Sequence, residues 1–132
     1  RRDFTYVDDV VESIVRLTEQ PATPHGKWDS YSPDPGTSDA PWRVYNIGNH
    51  SPTELLYVVS LLEKHLGKKS RQNLLPMQPG DVSATYADVE ALAEAVEFKP
   101  STSIESGIAE FVQWYLAYHE NQTDTVSLKK SA

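Results

Sequence analysis

The chain has 132 residues, 39% of them hydrophobic, and a mean hydropathy of −0.51, enough for one domain with a modest core. Twelve lysines and arginines against nineteen aspartates and glutamates give a net charge of −7; this excludes a general nucleic-acid or membrane-surface binder, because phosphate backbones select clustered cations. Cysteine is absent, which excludes a disulfide framework, a thiolate nucleophile and a thiolate metal site.

The chain opens on Arg1-Arg2-Asp3-Phe4-Thr5-Tyr6-Val7, whose β-type residues over Asp3–Val7 predict a short strand. Such an opening reads as the interior of a larger domain. Asp8 or Asp9 is expected to cap a helix running to about Gln20, with Val10, Val11, Ile14, Val15 and Leu17 as its apolar stripe. Residues 21–41 carry five prolines and two glycines without periodicity, and a mobile connection is expected there.

Arg43–Ile47 reads as a buried strand ended by Gly48-Asn49. Ser51 and Glu54 have capping-box spacing around Pro52, so a helix is expected from Ser51, burying Leu55, Leu56, Val58, Val59, Leu62 and Leu66 and stopping at Gly67. Asn73–Met77 and Ala84–Ala87 are candidate short strands, separated by a Gln78-Pro79-Gly80-Asp81 turn. Asp88 is expected to cap a helix through Val96. Thr102 and Glu105 suggest a second capping box, for a last helix that buries Ile104, Ile108, Phe111, Val112, Tyr115 and Leu116. The polar segment 121–132 is expected to be a disordered tail. No internal repeat is visible. Short strands followed by helices predict an α/β fold whose parallel sheet is incomplete within these residues.

The blocks RDFTYVDDV, VYNIGN, QPGDV with TYAD, and FKPST with IESGI and FVQWY occur in order over residues 1–119. In this order they resemble the C-terminal half of extended short-chain dehydrogenases/reductases, and most closely the NAD-dependent UDP-glucuronate 4-epimerase type. The resemblance implies a C-terminal substrate-binding portion of an extended Rossmann-type fold, with a nucleotide-sugar-binding domain over 1–120. In the parent protein NAD would be held by an N-terminal Rossmann half. That half would also supply a Tyr-x-x-x-Lys pair for proton transfer. The reaction implied is oxidation at C4 of a UDP-sugar, rotation of the keto-sugar, and return of the hydride. A homodimeric parent is implied as well.

Carried over residue by residue, Arg2 matches the arginine that contacts the substrate diphosphate, and a guanidinium suits that role because it can fork across two oxygens. Phe4 stands where some relatives have an aromatic hydroxyl on the nucleotide; it keeps the ring and loses that hydrogen bond, so core packing explains it better. Gln78 replaces the second diphosphate arginine of galactose-type epimerases, which favours the glucuronate type. Asp81 matches a ribose-binding aspartate, and ordinary turn chemistry would explain it equally.

No tyrosine is followed four places on by lysine, and no Gly-x-Gly-x-x-Gly loop occurs. These residues therefore offer no catalytic or cofactor-binding group of that family, and the chain alone is expected to be inactive. His25, His50, His65 and His119 lie on separate elements without metal-ligand spacing, so no metal site is expected. The apolar runs fall short of the ~20 residues of a membrane helix and no signal peptide is visible, so a cytoplasmic protein is expected. A dehydratase, reductase or decarboxylase on the same scaffold, or a non-catalytic binding or assembly module, would fit the same residues.

Overall fold

The structure, a computed structural model, describes residues 1–129 and the side chains of residues 1–120. Four helices follow in order: α1 (Val7–Thr18), α2 (Leu55–Leu66), α3 (Glu90–Val96) and α4 (Ile104–Lys129). The chain divides into two compact units. The first comprises Arg1–Pro52 with Ser83–Thr102, and the second Thr53–Val82 with the chain from Ser103 onward. The expected tail, 121–132, falls partly on the last turns of α4, and residues 130–132 lie outside the described residues.

In the first unit α1 packs against α3, around a core of Val89, Leu92 and Val96. The helix α1 starts after Tyr6, with no side-chain cap. Asp8 and Asp9 both lie in its first turn, where carboxylates favour the positive helix end. The two residues that α1 buries fully are polar, and Val10 and Leu17 of the expected stripe are half-buried. Asp9 and Ser13 are buried one turn apart, while Val11, Ile14 and Val15 of the expected stripe are about half exposed. From the same helix Arg16 bonds Glu12 at 2.6 Å, donates to the Val96 carbonyl at 3.3 Å and lies 4.9 Å over the Phe98 ring. Its charge thus sits at the negative end of α3. That helix stops at Glu97, a non-glycine residue in the left-handed region at φ +50°.

In the second unit α2 packs against α4 and buries Val58 and Leu61, with Val112 buried on α4. Both capping boxes are displaced. The helix α2 begins at Leu55 after an extended Glu54, later than Ser51 suggests. For α4 the cap is Ser103, whose hydroxyl oxygen accepts from Ser106 N–H at 3.1 Å. Glu105 instead accepts from the Tyr57 hydroxyl at 2.6 Å. Gly67 ends α2 in the left-handed conformation, φ +64°, as its position predicts. Leu55, Leu56, Phe111, Tyr115 and Leu116, all expected in the core, are exposed.

The expected strands do not form. Among the described residues no ladder of strands forms, and Thr37 and Arg43 make an isolated antiparallel bridge. A strand exists only as one member of a ladder. The β-propensity of Phe4, Tyr6, Val44, Tyr45 and Ile47 describes a fit to a pleated surface and makes no sheet by itself. The segment 21–41 is laced by hydrogen bonds rather than bare. His25 N–H donates to the Ser38 carbonyl at 2.8 Å, and Asp34 accepts from Gly36 N–H at 2.8 Å and from the Thr37 hydroxyl at 3.1 Å. Those two donors hold the Asp34 carboxyl below its ordinary pKa.

Candidate functional site

Arg2 and Phe4 lie in the first unit, either side of Asp3, and both are half-buried. The Arg2 guanidinium donates to the Arg1 carbonyl at 2.9 Å. This opening segment runs beside residues 83–85. The Arg1 amino group donates to the Ser83 carbonyl at 2.7 Å, and Thr85 N–H donates to the Arg1 carbonyl at 3.3 Å. That is the bond pattern of a single parallel pair. Asp3 N–H then turns to the Thr85 hydroxyl at 3.0 Å, and the pairing ends.

Asp3 itself carries no role in the sequence reading, yet its carboxylate is the junction of this region. Oδ2 accepts from His50 N–H at 3.2 Å and from Ala87 N–H at 3.1 Å, and Oδ1 accepts from Ser51 N–H at 3.2 Å. The Gly48-Asn49 strand end is shaped by the same contact. A side chain at buried Gly48 would place its Cβ 2.4 Å from Ala87 Cβ and 2.9 Å from Asp3 Oδ2, so only glycine fits there.

His50 follows in the left-handed region at φ +53°. Its Nδ1 lies 3.2 Å from the Ala87 carbonyl, which can only accept, so Nδ1 carries the proton. Nε2 is then the acceptor for the Tyr86 hydroxyl. His50 thus bridges Ala87 and Tyr86 from a bend between helices. Asp3, Asn46, Gly48, Thr85 and Tyr86 are among the residues lining a shallow pocket of about 230 Å³.

A second carboxylate acts likewise. Asp9, expected as a helix cap, accepts from Ser101 N–H at 3.1 Å and Thr102 N–H at 2.9 Å. Asn49 donates to the Thr102 carbonyl at 3.1 Å.

Gln78 and Asp81 belong to the second unit and share one turn. Asp81 N–H donates to the Gln78 carbonyl at 3.1 Å, and Gly80 has φ +86° behind Pro79, the pattern of a type II turn. Both side chains are exposed, and Asp81 Oδ1 accepts from Val82 N–H at 2.8 Å. Asp81 thus makes the turn contact that its position predicts. Among the described residues no group of three His, Asp or Glu side chains is placed to hold a metal, and no helix is long and apolar enough to cross a membrane.

No family model matches the chain. Protein CapI of Staphylococcus aureus is 52% identical over 119 residues, covering 90% of this chain and 36% of that protein. A probable UDP-glucuronate 4-epimerase of Rhizobium meliloti (strain 1021) is 45% identical over 118 residues, covering 86% of this chain and 34% of that protein. The solved structure of MoeE5 in complex with UDP-glucuronic acid and NAD superposes with a TM-score of 0.66 at 26% identity, covering 88% of this chain and 33% of that one. The chain has the fold of the C-terminal portion of an extended short-chain dehydrogenase/reductase. It spans about a third of the length of these relatives. Within that portion the expected short strands are replaced by segments that form no ladder, while the helices stand where periodicity places them.

Proposed function

We propose that this chain is the substrate-side portion of an NAD-dependent nucleotide-sugar epimerase that inverts C4 of UDP-glucuronate through a 4-keto intermediate. The similarity to a probable UDP-glucuronate 4-epimerase and to a structure holding UDP-glucuronic acid and NAD carries this reading. Arg2 is the proposed diphosphate contact, because its permanently charged fork matches paired phosphate oxygens. Phe4 would present a ring without a hydroxyl. Gln78 would donate to phosphate without adding charge, and Asp81 would accept from ribose hydroxyls. Cytoplasmic residence and a homodimeric parent belong to the same proposal.

The residues present do not fit NAD. The chain's six glycines are Gly26, Gly36, Gly48, Gly67, Gly80 and Gly107, and no pair of them has phosphate-loop spacing. The cofactor therefore belongs to the rest of the parent protein, and these residues bind and orient the sugar nucleotide without exchanging a hydride.

Kinetics of the natural full-length protein carrying this sequence test the reading. Replacing Arg2 by alanine should raise KM for UDP-glucuronate by roughly tenfold or more while NAD binding persists, as expected for loss of a charged hydrogen bond. Loss of NAD binding with KM unchanged would place Arg2 elsewhere. The 132-residue polypeptide alone should show no turnover and should bind UDP weakly by calorimetry.

A further inference from the structure

We infer that Asp3 is a positioning residue for the substrate-side site, setting where Arg2 is held. The inference rests on the proposed role of Arg2 and extends it to a residue that no comparison assigns.

Three backbone amides converge on the Asp3 carboxylate, from positions 47, 48 and 84 residues away. Two of them, on His50 and Ser51, are successive amides turned to one side by the left-handed His50. Backbone in such a turn forms a concavity for an anion, and here the anion is a carboxylate of the same unit. A left-handed histidine persists only where its surroundings over-determine it. The Ala87 carbonyl and the Tyr86 hydroxyl on its ring, with Asp3 on its amide, supply that determination.

The carboxylate also lies against bare backbone at Gly48, so its own position is fixed on that side. Thr85 completes the hold. Its N–H binds the Arg1 carbonyl and its hydroxyl accepts from Asp3 N–H, which brackets the peptide that carries Arg2. A forked guanidinium contact is sensitive to displacements of about 1 Å, so the anchor next to Arg2 governs binding without touching the ligand.

Full-length protein and UDP-glucuronate kinetics test this. Asp3→Asn keeps the size but offers one acceptor oxygen for three donors. It should raise KM about tenfold with kcat nearly unchanged and NAD binding intact. Asp3→Glu should not rescue, since one further methylene displaces the carboxylate from the His50, Ser51 and Ala87 amides. Thr85→Val removes only the hydroxyl and should raise KM about threefold.

Arg2→Ala is the control. If Arg2→Ala raises KM while Asp3→Asn and Thr85→Val lower the melting temperature and leave KM alone, Asp3 is merely structural and the inference falls. If Arg2→Ala leaves KM unchanged, the diphosphate reading falls and takes this inference with it. Should Asp3→Asn fail to fold, the Thr85→Val result decides in the same sense.

Discussion

The two units are held by different means. In the first, carboxylates bind backbone amides far away in sequence: Asp3 takes those of His50, Ser51 and Ala87, and buried Asp9 takes those of Ser101 and Thr102. In the second, a pair of helices buries Val58, Leu61 and Val112, and the polar contacts decorate its surface. Tyr57 donates to Glu105 at 2.6 Å, which raises the phenol's pKa and holds the Glu105 carboxyl low. Glu63 gathers Lys69 and Ser70 from just beyond its own helix. A remote polar pin fixes the register of segments that pair in no sheet, whereas a helix pair needs only its apolar contact. The proposed diphosphate arginine lies in the unit with the remote pins.

The largest effect should come from removing the buried pin. Asp9→Ala takes the acceptor from the amides of Ser101 and half-buried Thr102 and should destabilise the first unit by about 1–2 kcal/mol. Ser101 and Thr102 amides should then exchange with solvent fastest, while the α2 and α4 amides keep their protection. Hydrogen exchange in the full-length protein reads both. Equal loosening of both units, or a change below about 0.5 kcal/mol, would break the distinction drawn between them.

That pin was hidden in the sequence for a physical reason. Helix periodicity marks apolar faces, and α1, α2, α3 and α4 are all legible from it, as is the stop at Gly67. Register between distant segments leaves no periodic trace. Asp9 read as a cap because carboxylates do favour a first helical turn, and Asp3 read as part of a strand. The burial pattern misled as well. Of the α1 stripe, Val10 and Leu17 are half-buried while Val11, Ile14 and Val15 stay about half exposed, and the fully buried places go to Asp9 and Ser13. Arg2, Phe4, Gln78 and Asp81 were reachable only through motif resemblance, since nothing in their spacing announces a nucleotide. The one local hint of the Asp3 junction was Gly48-Asn49, where glycine is required by a neighbour 39 residues on, Ala87.

A smaller effect of opposite sign is expected at the end of α3. Glu97 is exposed and sits at φ +50°, where a side chain is strained, and its carbonyl is already bonded by Arg16. Glu97→Gly should therefore stabilise the first unit by about 0.5–1 kcal/mol, read as a rise in melting temperature. A fall would mean that the Glu97 side chain makes a contact worth more than the strain.

The smallest effect belongs to the second unit and sharpens the comparison through pH. Lys69 at 2.7 Å, then the amide and hydroxyl of Ser70, lower the Glu63 pKa from 4.5 to about 2. A depressed carboxyl contributes stability that is complete above the unfolded value, 4.5, and is lost as pH falls through about 2. The Lys69 side chain is 89% exposed, so salt should screen most of its share. In a carboxyl NMR titration Glu63 should titrate well below 4.5, and Lys69→Ala should move its midpoint upward. The amide and hydroxyl of Ser70 would keep that midpoint from returning fully. A Glu63 midpoint at the ordinary value would show that this local clamp does not persist in solution. The second unit would then rest on its helix contact alone, and the contrast with the pinned first unit would widen.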